Sequence, residues 1–184
     1  ETSPPTRPIS VASVSALADH WGEAEVDRGR AAVYAAEAAA FDGTDLEVER
    51  PFESIAAAVC AVTAGPWWPG PPVRVVPARS DARASTARCD DAVSTIRLAA
   101  GQLTIATAAH ELAHALAGLG AGHSSLFLAA YLDVIVVITN RDPSDRRRML
   151  HADQLRAALE AAGLQVALRR WPSPPESIAG AIAL

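Results

Sequence analysis

Apolar residues recur at three- and four-residue intervals along several stretches, and each such run predicts a helix with one face turned to a core. Val11, Val14 and Leu17 share a face between Ile9 and about His20. Asp27 to Phe41 is alanine-rich with Val33, Tyr34 and Phe41, and Gly43 follows as a stop signal. Ser54 reads as the cap of a helix through Thr63, closed by Gly65-Pro66. Further helices are expected from about Leu103 to Ala117, with Thr104 as candidate cap, and from Ser124 to about Thr139. A last one starts at Asp142-Pro143 and stops at Gly163.

Strand signals are fewer. The run from Gly65 to Pro72 is too rich in glycine and proline for regular structure, and Val73 to Val76 after it reads as a short strand. Residues 78–91 are polar and read as a loop. In Val93 to Leu98, Ile96 and Leu98 point one way and Thr95 and Arg97 the other, which predicts a half-exposed strand. Leu164 to Leu168 is expected to return as a strand. Residues 1–8, rich in Pro, Ser and Thr, are expected to form a flexible arm. No internal repeat or boundary divides the remainder, so residues 9–184 are read as a single α+β domain with a small mixed sheet and surrounding helices.

Composition sharpens this. Half of the 184 residues are apolar but only 5% are aromatic, and alanine supplies much of the difference, so helices are expected to pack closely. A net charge of −5 argues against a nucleic-acid partner. Cys60 and Cys89 are too few for a disulfide scaffold or zinc ribbon. Two buried or half-buried thiols are the favoured reading and a single disulfide the alternative. The most apolar run, Leu126 to Ile138, is short and contains Asp133, so no membrane span is expected. The first residues do not resemble a signal peptide, which points to the cytoplasm, although a processed or secreted form would look the same.

The chemistry concentrates in His110-Glu111-Leu112-Ala113-His114. Two histidines four residues apart on a helix are rotated by about 40° and separated by one turn, so their imidazoles can converge on one ion. Glu111, beside the first ligand, is then aimed next to the metal, where it can take a proton from water as general base. His123 follows the reversal Gly118-Leu119-Gly120-Ala121-Gly122, where glycine can end the helix and turn the chain back. Three of the chain's five histidines fall in this stretch, and His123 is the candidate third ligand for zinc. Ile105, Ala109, Leu112, Leu116 and Leu119 form the stripe expected to face the core, with His110 and His114 roughly opposite.

The stretch HELAHALAGLGAGH resembles the active-site region of zincin metallopeptidases whose third ligand is a histidine on the following helix, as in SprT-like domains. The metzincin pattern does not fit, because His123 comes too late. The chain is also similar to a family of small uncharacterised bacterial metallohydrolases through RAAVYAAE at Arg30–Glu37, WPGPPVRV at Trp68–Val75, HELAH itself and HSSLFLAAYLD at His123–Asp133. Ser124 stands where that family usually has glycine. The resemblance implies His110, His114 and His123 as zinc ligands and Glu111 as catalytic base. It also implies a peptide or protein substrate laid along the strand before the active-site helix.

Other residues are weighed against plainer roles. Tyr131, eight residues beyond His123, is a candidate catalytic donor to a developing oxyanion, though an interior tyrosine with a satisfied hydroxyl is commoner. Asp133 fits either a partner of a ligand histidine or a structural charge pair. Trp67 and Trp68 fit the packing of a proline-rich loop better than a substrate pocket. Arg146-Arg147-Arg148 reads as a solvated face, and His20 and His151 have no partner spacing. Two other functions remain open: hydrolysis of a non-peptide amide or ester, and a metal-stapled interaction domain without catalysis.

Overall fold

The computed structural model describes residues 29–90, 92–139 and 150–175. The expected arm, the helix from Ile9 to His20, the helix start at Asp142-Pro143 and the arginine run lie outside the described residues. Five helices and three strands are described. A helix over residues 29–41 (α1) leads to α2 (Phe52–Thr63), then β1 (Val73–Pro77), β2 (Thr86–Asp90) and β3 (Val93–Leu98). The chain continues through α3 (Ile105–Ala117), α4 (Ser125–Thr139) and α5 (Leu150–Ala161).

The sheet is small and mixed, in the order β1-β3-β2. β3 runs parallel to β1, with Val75 opposite Ile96, and antiparallel to β2, with Ala87 opposite Ile96. Its central place explains its burial. Ser94, Thr95, Ile96 and Leu98 are all covered, so the alternation that suggested a half-exposed strand marks instead two faces that are both packed. β2 occupies the segment expected to be a loop. Its residues are polar because they sit on an edge, and Ala92 before β3 takes φ 83° without the glycine or asparagine that usually announces such a turn. Leu164 to Leu168 forms no strand; Ala167 only donates its N–H to the Ser125 carbonyl at 3.0 Å.

α4 is the hub of the helical layer. Phe127 to Ile135 are buried without interruption, so this helix is apolar on every side and packs against both α3 and α5. α3 is likewise buried on more than one face. Ile105, Ala109 and Leu112 lie in the core as expected, whereas Leu119 falls past the helix end and is exposed. α2 begins at Phe52 with Pro51 before it, so Ser54 lies inside the helix and does not cap it. α5 stops at Gly163 as its sequence suggests, with φ 70° there, Gly163 N–H bonded to the Glu160 carbonyl and Leu164 N–H to that of Leu159.

Cys60 and Cys89 are unpaired and exposed, which removes the disulfide and the buried-thiol reading alike. Among the described residues, no helix is long and apolar enough to cross a membrane.

α3 carries the histidines, and its first turn is tied down on two sides. The Thr104 hydroxyl accepts the Thr107 N–H at 3.1 Å, and the Leu46 carbonyl accepts the Ala106 N–H at 3.1 Å. Arg50 N–H also reaches the Leu103 carbonyl at 2.9 Å, so the segment after α1 is laced to the start of α3. Thr104→Ala is expected to cost about 1 kcal/mol in urea unfolding, and Thr104→Ser to restore most of it. Equal stability of Thr104→Ala and wild type would show that the Leu46 contact alone suffices.

Candidate metal centre

His110 and His114 sit one turn apart on the buried side of α3, as their spacing requires. His123 is delivered by the turn after that helix. Gly118 at φ 87° ends α3, and Gly122 at φ 51° reverses the chain just before His123. Both are left-handed conformations that cost a side-chain-bearing residue about 1 kcal/mol or more. His123 precedes α4, which starts at Ser125, so the third histidine stands on the turn and not on the following helix.

One ligand atom from each of the three imidazoles lies within 4.8 Å of the others, and His110 Nε2 is 3.1 Å from His123 Nε2. Nitrogens bound to one tetrahedral zinc are about 3.4 Å apart, so the spacing suits a metal ion. The tautomer suits it too. His110 Nδ1 donates to Glu37 Oε1 at 2.8 Å, which leaves the Nε2 lone pair facing the other two rings.

An apolar floor holds the rings. The Phe127 ring packs under all three imidazoles, with centroid separations of 5.0, 4.4 and 5.0 Å to His110, His114 and His123. Burial pushes His114 down to about 3 and His123 down to about 4, each helped by the charge of His110 were it protonated. Both rings are therefore neutral near pH 7 and offer lone pairs without first releasing a proton.

Glu111 is buried beside them, and the Ala87 N–H of β2 donates to its carboxylate. Burial raises its pKa to about 7; His110 and the Ala87 bond pull it down and Glu37 pushes it up. A carboxylate titrating there can both take and return a proton at neutral pH. His110 and Glu111 open onto a cleft of about 400 Å³. Its walls include Tyr34, Glu37, Asp42 and Glu47 from α1 and the segment after it, and Ser85, Gln102 and Thr107 from the opposite side.

The remaining candidates fall elsewhere. Tyr131 is fully buried behind His110, with ring centroids 5.6 Å apart, and is not among the residues lining the cleft. Its hydroxyl reaches the Ala106 carbonyl at 3.5 Å and hydrogen-bonds the Glu37 carboxylate. Asp133 is paired with Arg169 at 2.9 Å and with the Trp171 indole N–H at 2.8 Å, a structural anchor away from the histidines. Trp67 and Trp68 donate to the Pro172 and Pro71 carbonyls and pack edge to face, which is loop packing. His151 bonds Gln154 and Asp45. β3, the strand expected to receive substrate, has both edges paired; the open edge near Glu111 belongs to β2.

Two site residues escaped the motif. Glu37 and Tyr34 come from α1; they lie in the RAAVYAAE segment of the resemblance, but the resemblance assigns a role to neither. Glu37 is the sole charged residue between Ala31 and Ala40. With Arg30 and Tyr34 it forms a polar stripe at i, i+4, i+7, which a helix turned wholly to the core would lack.

Comparison of the chain with protein families, with curated proteins and with solved structures gives no match. The three histidines can hold a metal ion on the strength of their own geometry.

Glu37→Ala is expected to weaken zinc binding 10- to 100-fold in a competitive chelator titration, because His110 loses the partner that orients it. Unchanged affinity would mean that Phe127 packing alone sets the ring. The pH dependence of the metal-free chain follows from the shifts. His114 and His123 have folded values below their ordinary 6.5, so their share of stability is complete above pH 6.5 and is lost as pH falls toward 4 and 3. Glu111 acts oppositely, its share being complete below pH 4.5 and lost as pH rises through about 7. Melting temperature is expected to drop from pH 6.5 to 4, and to drop less in His114→Ala; parallel profiles would contradict the assignment.

Proposed function

We propose that the chain is a zinc-dependent hydrolase of the zincin type, most simply a metallopeptidase. The observation that supports it is a buried carboxylate with its pKa raised to about 7 beside three converging imidazoles, at the mouth of a cleft. His110, His114 and His123 would hold the zinc, the three-ligand set of catalytic sites, which leaves a coordination position for substrate or water. When bound, zinc supplies Lewis acidity that polarises a carbonyl and makes water easier to deprotonate.

The chain's own groups supply the rest. Glu111 takes a proton as the water oxygen forms its bond to the carbonyl carbon, and hands that proton to the amine nitrogen as the C–N bond breaks. Glu37 keeps His110 in the tautomer that presents Nε2, and Tyr131 keeps Glu37 in place. Phe127 excludes water from beneath the rings. Ser85, just before edge strand β2, is fixed by its N–H to Gln102 Oε1 at 2.6 Å and by its hydroxyl, which accepts the Ala99 N–H at 3.0 Å. An extended peptide would enter along this wall, beside the open edge of β2.

A purely structural metal site has no use for Glu111, which favours catalysis over a metal-stapled interaction domain. Elemental analysis of protein purified without chelator is expected to give about one zinc per chain. Glu111→Gln should retain that zinc and lose at least 100-fold in cleavage of a quenched-fluorescent peptide library. A Glu111→Gln protein as active as wild type would remove Glu111 from the mechanism, and a wild-type chain that takes up no transition metal would end the reading.

A further inference from the structure

The cleft holds a hydrogen-bond donor whose place the motif does not indicate. Tyr34 sits on the exposed face of α1, yet its ring packs against two of the three imidazoles, with centroids 5.4 Å from His110 and 5.5 Å from His123. It lines the same cleft as Glu111 and feels that carboxylate electrostatically, as it does Glu37. Nearly half of its surface is open, at 46%, and among the described residues its hydroxyl has no hydrogen-bond partner. Most tyrosines packed so closely on a polar cluster spend the hydroxyl on a neighbour, as Tyr131 does.

Its orientation is held from behind. The Arg30 guanidinium lies 5.7 Å from the centre of the Tyr34 ring, one helical turn before it, so a cation covers one part of the ring while the histidines contact another. Arg30, Tyr34 and Glu37 therefore place a cation, a neutral donor and a carboxylate in order along one helical stripe. Glu37 is used on His110, and Glu111 can only accept when ionised.

Three other polar side chains of the cleft wall serve as acceptors within the wall. Gln102 accepts the Ser85 N–H, Ser85 accepts the Ala99 N–H, and the Thr107 hydroxyl accepts from Thr104 at 3.1 Å. Of the cleft's hydroxyls, Tyr34 is the one whose ring packs on the histidines.

The geometry points to Tyr34 as the donor that stabilises the negative charge developing on the substrate's carbonyl oxygen, an inference that rests on the hydrolytic reading above. Glu111 then handles the proton and Tyr34 the oxygen. Tyr131, which the sequence offered as a candidate donor beside a commoner interior role, packs on His110 inside the core and hydrogen-bonds Glu37. A donor placed for the transition state strengthens as charge accumulates, and removal of one such donor lowers kcat by roughly 100- to 1000-fold.

The test uses the full chain loaded with cobalt in place of zinc, so that the site is visible by absorption without any turnover. Wild type, Tyr34→Phe and Tyr34→Ala are titrated with methylphosphonate, a tetrahedral anion that imitates the charged oxygen. Tyr34→Phe is expected to take up one cobalt with an unchanged spectrum and an unchanged melting temperature. It should bind methylphosphonate at least tenfold more weakly, and in peptide cleavage its kcat should fall with little change in KM. If Tyr34 only packs on the imidazoles, Tyr34→Phe will match wild type within twofold in phosphonate affinity and only Tyr34→Ala will fail; that result overturns the inference while the metal reading stands. Failure of the wild-type chain to take up cobalt overturns the metal reading and this inference with it.

Discussion

Three imidazoles that would each prefer water are packed against Phe127, and the rest of the site follows from how the chain keeps them there. Buried polar rings need partners, and these have few in the protein. His110 satisfies one nitrogen with Glu37, and its other nitrogen faces His123 at 3.1 Å. Burial drives His114 and His123 to stay neutral, which avoids placing positive charges side by side and leaves lone pairs facing one another. Such an arrangement is costly without an ion and satisfied with one, so the core and the binding chemistry are a single construction.

The same desolvation sets the character of Glu111. A carboxylate buried between α3 and the edge of the sheet is held near neutrality by opposing neighbours: burial and Glu37 raise its affinity for a proton, while His110 and the Ala87 N–H lower it. The sheet thus enters the chemistry through one backbone N–H. That is a stricter demand than general support, because a one-residue slip in the pairing of β2 with β3 would move Ala87 out of register with Glu111.

Helix α1 has an unexpected share of the site. It packs on the cluster and contributes Tyr34 and Glu37 through one polar stripe, and Glu37 in turn is held by Tyr131 of the buried helix α4. Tyr131 and Tyr34 therefore flank His110, one inside the core and one at the cleft. Alanine makes this possible. With alanine at most of its remaining positions beside Val33 and Phe41, α1 lies close enough for the Glu37 carboxylate to reach His110.

Much of the centre could be read from local spacing. His110, Glu111 and His114 are bound to one another by the 3.6-residue turn whatever surrounds them, and Gly118 and Gly122 declared a reversal that returns His123, since only glycine adopts their backbone angles cheaply. Helix ends at Thr104 and Gly163 were legible for the same local reason. Tertiary structure decided whatever depends on partners distant in sequence. An edge strand with polar residues and an alanine in its turn carries no local signature, so β2 declared itself only once β3 paired with it. The exposure of Cys60 and Cys89, the anchoring of Asp133 by Arg169 and Trp171, and which of two tyrosines lines the cleft depend on which helix faces which. Spacing along a chain dictates how neighbouring residues turn relative to one another, but a bond across 73 residues, such as that from His110 to Glu37, exists only when packing brings two helices together.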